Sequence, residues 1–234
     1  MKQIRLDKYL ADMGVGTRSQ VKNLIRKGKI LVNDEVVKTP EYKVGDEDKV
    51  LAGGVLISYL TYEYLMLNKP AGVVSATEDR REQTVLELIT DAARKDLFPV
   101  GRLDKDTEGL LLLTNDGALA HDLLSPKKHV DKTYFVRVDG ALDEEDVAAF
   151  AAGMVLEDGA VCQSADLELL ERPDEGLVTL REGKYHQVKR MLAARGKPVR
   201  YLKRLTMGPL RLDETLEPGQ WRELTEEERK ALGR

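Results

Sequence analysis

The sequence predicts an α+β fold in two parts, a small amino-terminal unit over residues 1–58 and a larger domain over residues 60–234. Three observations lead to it. Apolar residues before Gly28 recur at helical spacing, whereas many of those beyond residue 60 fall in short runs and alternations bounded by Gly, Asn and Pro, as strands do. The pair Gly53-Gly54 marks a change of composition between the two regimes. A chain of 234 residues is also long enough for one sizeable core plus a small appended module.

In the first part, Leu6, Tyr9, Leu10 and Met13 predict a short helix that Gly14 stops. Thr17 is placed to cap a second helix, in which Val21, Leu24 and Ile25 form the apolar stripe and Arg18, Lys22 and Arg26 recur every four residues on another face. Ile30-Leu31-Val32, Asn33-Asp34 and Val36-Val37 predict a hairpin, and Val44-Gly45-Asp46 a turn before a Val50-Leu51 strand. The net charge of the chain is −4, yet residues 1–30 carry eight Lys or Arg (Lys2, Arg5, Lys8, Arg18, Lys22, Arg26, Lys27, Lys29) against Asp7 and Asp12. Such a row on an isolated helix is commonly just a solvated face. Concentrated in one small unit of an acidic protein, it is the footprint of a phosphate-binding surface.

In the second part, Tyr59, Tyr62 and Tyr64 lead into a strand ending at Asn68, and Asn68-Lys69-Pro70-Ala71-Gly72 reads as a turn. Thr84 caps a predicted helix carrying Val85, Leu88 and Ile89. The stretch PVGRLDKDTEGLLLLTNDG, residues 99–117, then crowds Arg102, Asp104, Lys105, Asp106 and Glu108 into a loop between Gly101 and Gly109. The apolar run Leu110–Thr114 behind it predicts a buried strand, so the loop is anchored to the core and suited to holding one carboxylate in a fixed position. Asp104 is the candidate; a structural Arg102–Asp104 ion pair accounts for the same spacing. A short helix with Leu119, Leu123 and Leu124 is halted by Pro126, and from Lys132 the alternation Tyr134, Val136, Val138 predicts a strand. Residues 143–152 read as an acidic helix, and 165–170 with 177–181 as two strands. EGKYHQVKRM, residues 182–191, reads as a Gly turn entering a helix, with His186, Lys189 and Arg190 at i, i+3 and i+4 on one cationic face. Arg200, Lys203 and Arg204 form a further basic cluster, and residues 225–232 a capped acidic helix.

GRLDKDTEGLLLLTNDG closely resembles the signature of pseudouridine synthases, specifically the RsuA-type branch that modifies ribosomal RNA. The resemblance implies that the Asp of GRLD, here Asp104, is the catalytic residue. It implies that the tyrosine of the KTY motif, Tyr134, stacks on the target base, and that the KPxG turn containing Lys69 lines the cleft. The basic residue after HQV, Lys189, aligns with the cation that pairs with the catalytic Asp; Arg190 is a possible substitute. Arg102, Leu110 and Leu111 are expected in the substrate pocket, and His186 is given no catalytic role. RLDKYLADMGVGTRSQVKNLIRKGKILVNDEVV is similar to the alpha-L RNA-binding module of a small-subunit ribosomal protein, which implies RNA contacts from Arg5, Arg18, Lys22, Arg26 and Lys27. The larger domain is then expected to be a mixed, mainly antiparallel sheet. EGKYHQVKRM leans towards enzymes acting on 16S over large-subunit RNA.

Cys162 is the only cysteine, so no internal disulfide forms, and Cys162, His121, His129 and His186 are too scattered for a zinc site. No Walker or Rossmann glycine motif is present, so no metal or cofactor is expected. Without a leader or an apolar run long enough to span a bilayer, the reading is a cytoplasmic monomer whose partner is ribosomal RNA or an assembling ribosomal subunit. Two other classes fit parts of the sequence. A glycosidase would pair Asp104 with Asp106 or Glu108, leaving the KTY and HQVK blocks unexplained; a non-catalytic assembly factor would need only the basic surfaces.

Overall fold

The computed structural model describes residues 3–234, so Lys2 of the amino-terminal cation set lies outside the described residues. The fold is α+β and divides into two compact units, residues 1–63 with 90–97, and residues 64–89 with 98–234.

In the first unit, helices Leu6–Asp12 and Arg18–Arg26 pack on a four-stranded antiparallel sheet in the order Glu35–Val36, Ile30–Val32, Val50–Ala52, Val55–Ile57. Ile4 and Arg5, which continue the helical spacing, instead pair with Val44 and Lys43. Thr17 caps the second helix in a reciprocal box with Gln20, the Thr17 hydroxyl accepting from the Gln20 amide and the Gln20 side chain accepting from the Thr17 amide. Leu6, Tyr9, Leu10, Val21 and Ile25 meet Ile30, Val32, Val44 and Val50 in one core. Asn33 and Asp34 both adopt positive φ, as a two-residue hairpin turn requires. Gly53 and Gly54 also have positive φ and turn a second hairpin, Val50–Ala52 onto Val55–Ile57. The glycine pair therefore belongs inside the first unit and is no linker, and the division falls at Glu63/Tyr64, a few residues beyond the 58–60 boundary the composition suggests.

The excursion Thr90–Leu97 also belongs to the first unit. Glu63 accepts the backbone amides of Ala93 (3.0 Å) and Arg94 (2.7 Å). Arg94, buried, pairs with Asp96 at 2.7 Å, lies 3.6 Å from Asp12, donates to the Leu60 carbonyl and sits over the Tyr59 ring. Tyr59 in turn stacks, tilted, on Tyr9.

The second unit is built on a mixed sheet in the order Asp166–Leu169, Glu175–Leu180, Lys132–Val138, Val199–Met207, Glu108–Thr114, Tyr64–Lys69, Trp221–Glu223, with Leu210–Arg211 and Phe98–Pro99 added at its sides. All its pairings are antiparallel except that of Val199–Met207 with Glu108–Thr114. Leu110 to Leu113 are fully buried, which explains their unbroken apolar run: a strand covered on both faces has no polar side to alternate with. Each contributes roughly 1.5–3 kcal/mol. Two clusters fill the unit, one around Phe150, Val178, Met191 and Leu202, the other around Met66, Leu110, Leu119 and Met207. Thr84 caps only a single 3-10 turn, Val85–Leu88, its amide and hydroxyl donating to Glu87, and no α-helix follows. Among the described residues, no helix is long and apolar enough to cross a membrane.

Candidate active site

Asp104 sits in the loop that enters the buried strand Glu108–Thr114, and the backbone around it is held from several sides. Lys69, at the end of the neighbouring strand and fully buried, donates from Nζ to the carbonyls of Pro70 (3.0 Å), Asp104 (3.0 Å), Lys105 (3.3 Å) and Thr107 (2.8 Å). The Ser75 hydroxyl donates to the Leu103 carbonyl (2.9 Å) and accepts the Leu103 amide (3.0 Å), while the Gly72 amide donates to the Lys105 carbonyl. Gly109 closes the loop where a Cβ would lie 2.2 Å from the Arg204 carbonyl oxygen, an approach only glycine permits. The KPxG turn thus sets the loop's shape. Lys69 does not line the cleft, as the resemblance implied; it lies beneath it.

Burial draws the Lys69 ammonium down to about 8, against the pull of Asp106, Asp104 and Glu108. A shift from 10.5 to about 8 corresponds to about 3 kcal/mol. Below pH 8 the amine is charged in the folded and unfolded chains alike, and folding carries the full cost of burying that charge. Between about 8 and 10.5 only the unfolded chain holds the proton, so this contribution to stability rises with pH. Over the same interval the loop loses one donor and the single-turnover rate should fall. Melting and rate measured together across pH 7–10, beside Lys69→Met, test this: parallel trends, or a Met variant with the parental profile, would remove Lys69 from control of the loop.

The Asp104 carboxylate meets Lys189 Nζ at 3.0 Å and His186 Nε2 at 3.5 Å. Lys189 extends from the helix Gln187–Ala194 and also binds Asp106, whose pKa it lowers; burial pulls its own pKa down, but the hydrogen bonds and charges of Asp106 and Asp104 together leave it raised. His186 precedes that helix with a left-handed backbone, φ 49° and ψ 33°, uncommon for a residue with a Cβ and frequent at functional sites. Of the i, i+3, i+4 trio expected on one cationic face, His186 and Lys189 both reach Asp104 and Arg190 turns away. Lys189 points to Asp104, while Arg190 pairs with Asp158 and reaches the Tyr185 carbonyl. Arg190 is therefore neither a pocket residue nor a substitute partner. Tyr185 stacks on His186 with centroids 3.8 Å apart and is itself 76% exposed.

A cleft of about 660 Å³ opens beside Asp104, with Tyr134, Arg102, His186, Tyr185 and Leu103 among its walls. Arg102 is exposed and, among the described residues, makes no ion pair, so the structural Arg102–Asp104 pair is not formed. Leu110 and Leu111 are buried in the sheet and do not reach the cleft; an unbroken run marks them as core on both faces. Leu103 supplies apolar surface there instead, and Val188 and Leu202 do so on an adjoining recess. Asp106 is exposed and tied to the same lysine, and Glu108 accepts the Tyr201 hydroxyl at 2.7 Å, so neither is set opposite Asp104 as a second acid.

In the first unit, Arg18, Arg26 and Lys27 are exposed and, among the described residues, without an ion pair, whereas Lys22 lies 3.9 Å from Asp7. Arg5 is committed to Asp7 through two hydrogen bonds and to Glu41 through a third, so its charge is largely spent inside the chain.

A helical, cation-faced unit followed by a mixed sheet that presents one lysine-paired aspartate beside an aromatic cleft defines an RNA-modifying enzyme of two modules. The S4 domain model matches residues 4–50 and the RNA pseudouridylate synthase model residues 63–194, and the chain belongs to the RNA pseudouridylate synthase family. It is 48% identical over 230 residues to the uncharacterized RNA pseudouridine synthase YtzG of Bacillus subtilis, covering 96% of each chain. It is 42% identical over 226 residues to ribosomal small subunit pseudouridine synthase A of Vibrio cholerae, covering 96% of this chain and 97% of that one. A crystal structure of a pseudouridylate synthase, 38% identical, superposes with a TM-score of 0.70 over 98% of this chain and 99% of the other.

Proposed function

We propose that the protein isomerises one uridine of 16S ribosomal RNA to pseudouridine, with Asp104 as its catalytic carboxylate. The carrying observation is that Asp104 is held by Lys189 at 3.0 Å in the wall of a cleft it shares with the Tyr134 ring. The reaction breaks the N1–C1′ bond, turns the uracil and joins C5 to C1′ of the same ribose, and the hydrogen of C5 is replaced by one on N1, so no atom is gained or lost. A fixed carboxylate serves the bond exchange at C1′. Lys189, 3.0 Å away, holds and aims it. A uridine within a helix cannot reach it, so the target is extruded and its base lies on Tyr134. Arg18, Lys22, Arg26 and Lys27 hold the RNA backbone and fix register without reading the reacting base. The small-subunit target is supported by the likeness to the Vibrio cholerae enzyme. Reading the chain as cytoplasmic and monomeric accords with work on free or assembling ribosomal RNA.

Unmodified 16S and 23S transcripts incubated with the protein and mapped for pseudouridine test the assignment. One new site in 16S RNA is expected; a site only in 23S RNA overturns the target, and none in either overturns the activity. Stacking predicts that Tyr134→Phe keeps most activity, whereas Tyr134→Ala loses about 5- to 100-fold, the worth of one base on an aromatic ring. Equal losses in the two variants would mean that the hydroxyl, not the ring, matters.

A further inference from the structure

The cleft has a second, buried cationic wall that the reaction at Asp104 does not use. Arg204 is 2% exposed on the strand Val199–Met207, and its Nε donates to the Leu110 carbonyl at 2.8 Å. Its Nη2 is enclosed yet has no hydrogen-bond partner among the described residues. Lys132 is 7% exposed, and among the described residues its Nζ donates only to the Val130 carbonyl. Neither cation has a carboxylate partner among the described residues; the nearby Asp131 pairs with Arg181. Both line the cleft together with Tyr134 and Asp104. The sheet explains their convergence. Lys132 and Tyr134 stand two apart on one strand and so share a face, and a register shift after Thr133, skipping Leu205, sets Tyr134 directly across from Arg204. Burial and the neighbouring guanidinium both lower the Lys132 pKa, as two cations held together without an anion require.

An unpaired buried charge is costly to fold around, and a guanidinium with a free edge in a cleft is built for an oxyanion with two acceptor oxygens. We infer that Arg204 and Lys132 form an anion subsite that takes a phosphate flanking the target nucleotide while its base lies on Tyr134. This rests on the proposed reading of the cleft as the nucleotide site. It assigns the extruded nucleotide two anchors on one sheet face, a ring for the base and a cation pair for the phosphate. The subsite selects a nucleotide over a free nucleoside without reading its base.

The test uses uridine, uridine 5′-monophosphate and uridine 3′-monophosphate as probes of the full-length protein, with dissociation constants from NMR titration. At least one monophosphate should bind about 10-fold or more tightly than uridine, as a charge-assisted bidentate contact provides. Arg204→Met should erase that preference, Arg204→Lys should keep part of it, and Lys132→Met should reduce it. Arg204→Met should also melt at an equal or higher temperature, since it removes a buried unpaired charge and keeps the volume, which separates lost binding from lost fold. Equal binding of all three probes, or an unchanged preference in Arg204→Met, overturns the subsite. Should Arg204→Met fail to fold, Arg204 is structural, and a preference undiminished in Lys132→Met then overturns the subsite too. Because the assay needs no product, it stands apart from the reaction. A protein that prefers the monophosphate but forms no pseudouridine keeps the subsite and loses the proposed function; one that forms pseudouridine without the preference does the reverse.

Discussion

Asp104→Asn should bind ribosomal RNA as tightly as the parent and form product at least about 1,000-fold more slowly, a loss of about 4 kcal/mol of transition-state stabilisation. The amide matches the carboxylate in size, and the loop that carries it is held through backbone atoms by Lys69, Ser75 and Gly72. Melting should therefore change little. Lys189 keeps Asp106 as a partner, so no buried cation is stranded. Single-turnover rates beside binding constants decide the matter. Substantial turnover by the Asn variant, with deamidation excluded by mass spectrometry, would falsify the assignment and shift attention to Asp106.

The second large effect is expected at Lys189. Lys189→Ala should slow the chemical step about 100- to 1,000-fold, the range seen when one fixed charge partner of a reacting group is removed. The loss has two parts. Asp104 and Asp106 would be left facing each other through water with no shared cation, and the Asp104 side chain would lose the contact that aims it. RNA affinity should move far less, because Lys189 already satisfies two carboxylates and has little charge to offer a phosphate. Lys189→Arg should recover part of the rate, its planar fork spanning both carboxylates at altered distances. Arg190→Ala is the contrast: its guanidinium is paired with Asp158, so the chemical step should be near parental. A rate loss in Arg190→Ala equal to that in Lys189→Ala would show that the helix as a whole, not one ammonium, positions Asp104.

Much of this arrangement is legible in the sequence, and what is not has physical reasons. Periodicity reveals both amino-terminal helices and the Lys132–Val138 strand, because each is long enough to repeat its pattern; the strand behind Asp104 shows instead as an unbroken apolar run between turn residues. Val199–Met207 showed only as a cluster of cations, since an alternation in which Arg204 turns inward and Arg200 outward does not look amphipathic. Gly53-Gly54 suits a flexible linker and a tight hairpin equally, the first for its conformational freedom and the second for the positive φ the turn requires. The spacing of His186 suggests a place within the helix, but its left-handed backbone puts it at the position just before the helix begins. Leu110 and Leu111 are expected near the substrate from the resemblance, but a strand covered on both faces takes its side chains out of reach. Lys69 illustrates the hardest case: a lysine in a turn motif looks like surface, and nothing in composition shows that it will be enclosed by four carbonyls.

The excursion Thr90–Leu97 has a consequence for the order in which the nascent chain can settle. Glu63 waits for the amides of Ala93 and Arg94, so the first unit gains its last contacts only after residues well beyond its own first sixty-three emerge from the ribosome. By the time residue 97 is available, the strand Tyr64–Lys69 is already exposed and wholly apolar at its centre, some forty residues ahead of its partner Glu108–Thr114. Synthesis at roughly 5–20 residues per second leaves that edge open for seconds. Completion of the first unit and pairing of the second's innermost strand thus fall close together in time, and chaperone dependence should concentrate on chains released between residues 70 and 110.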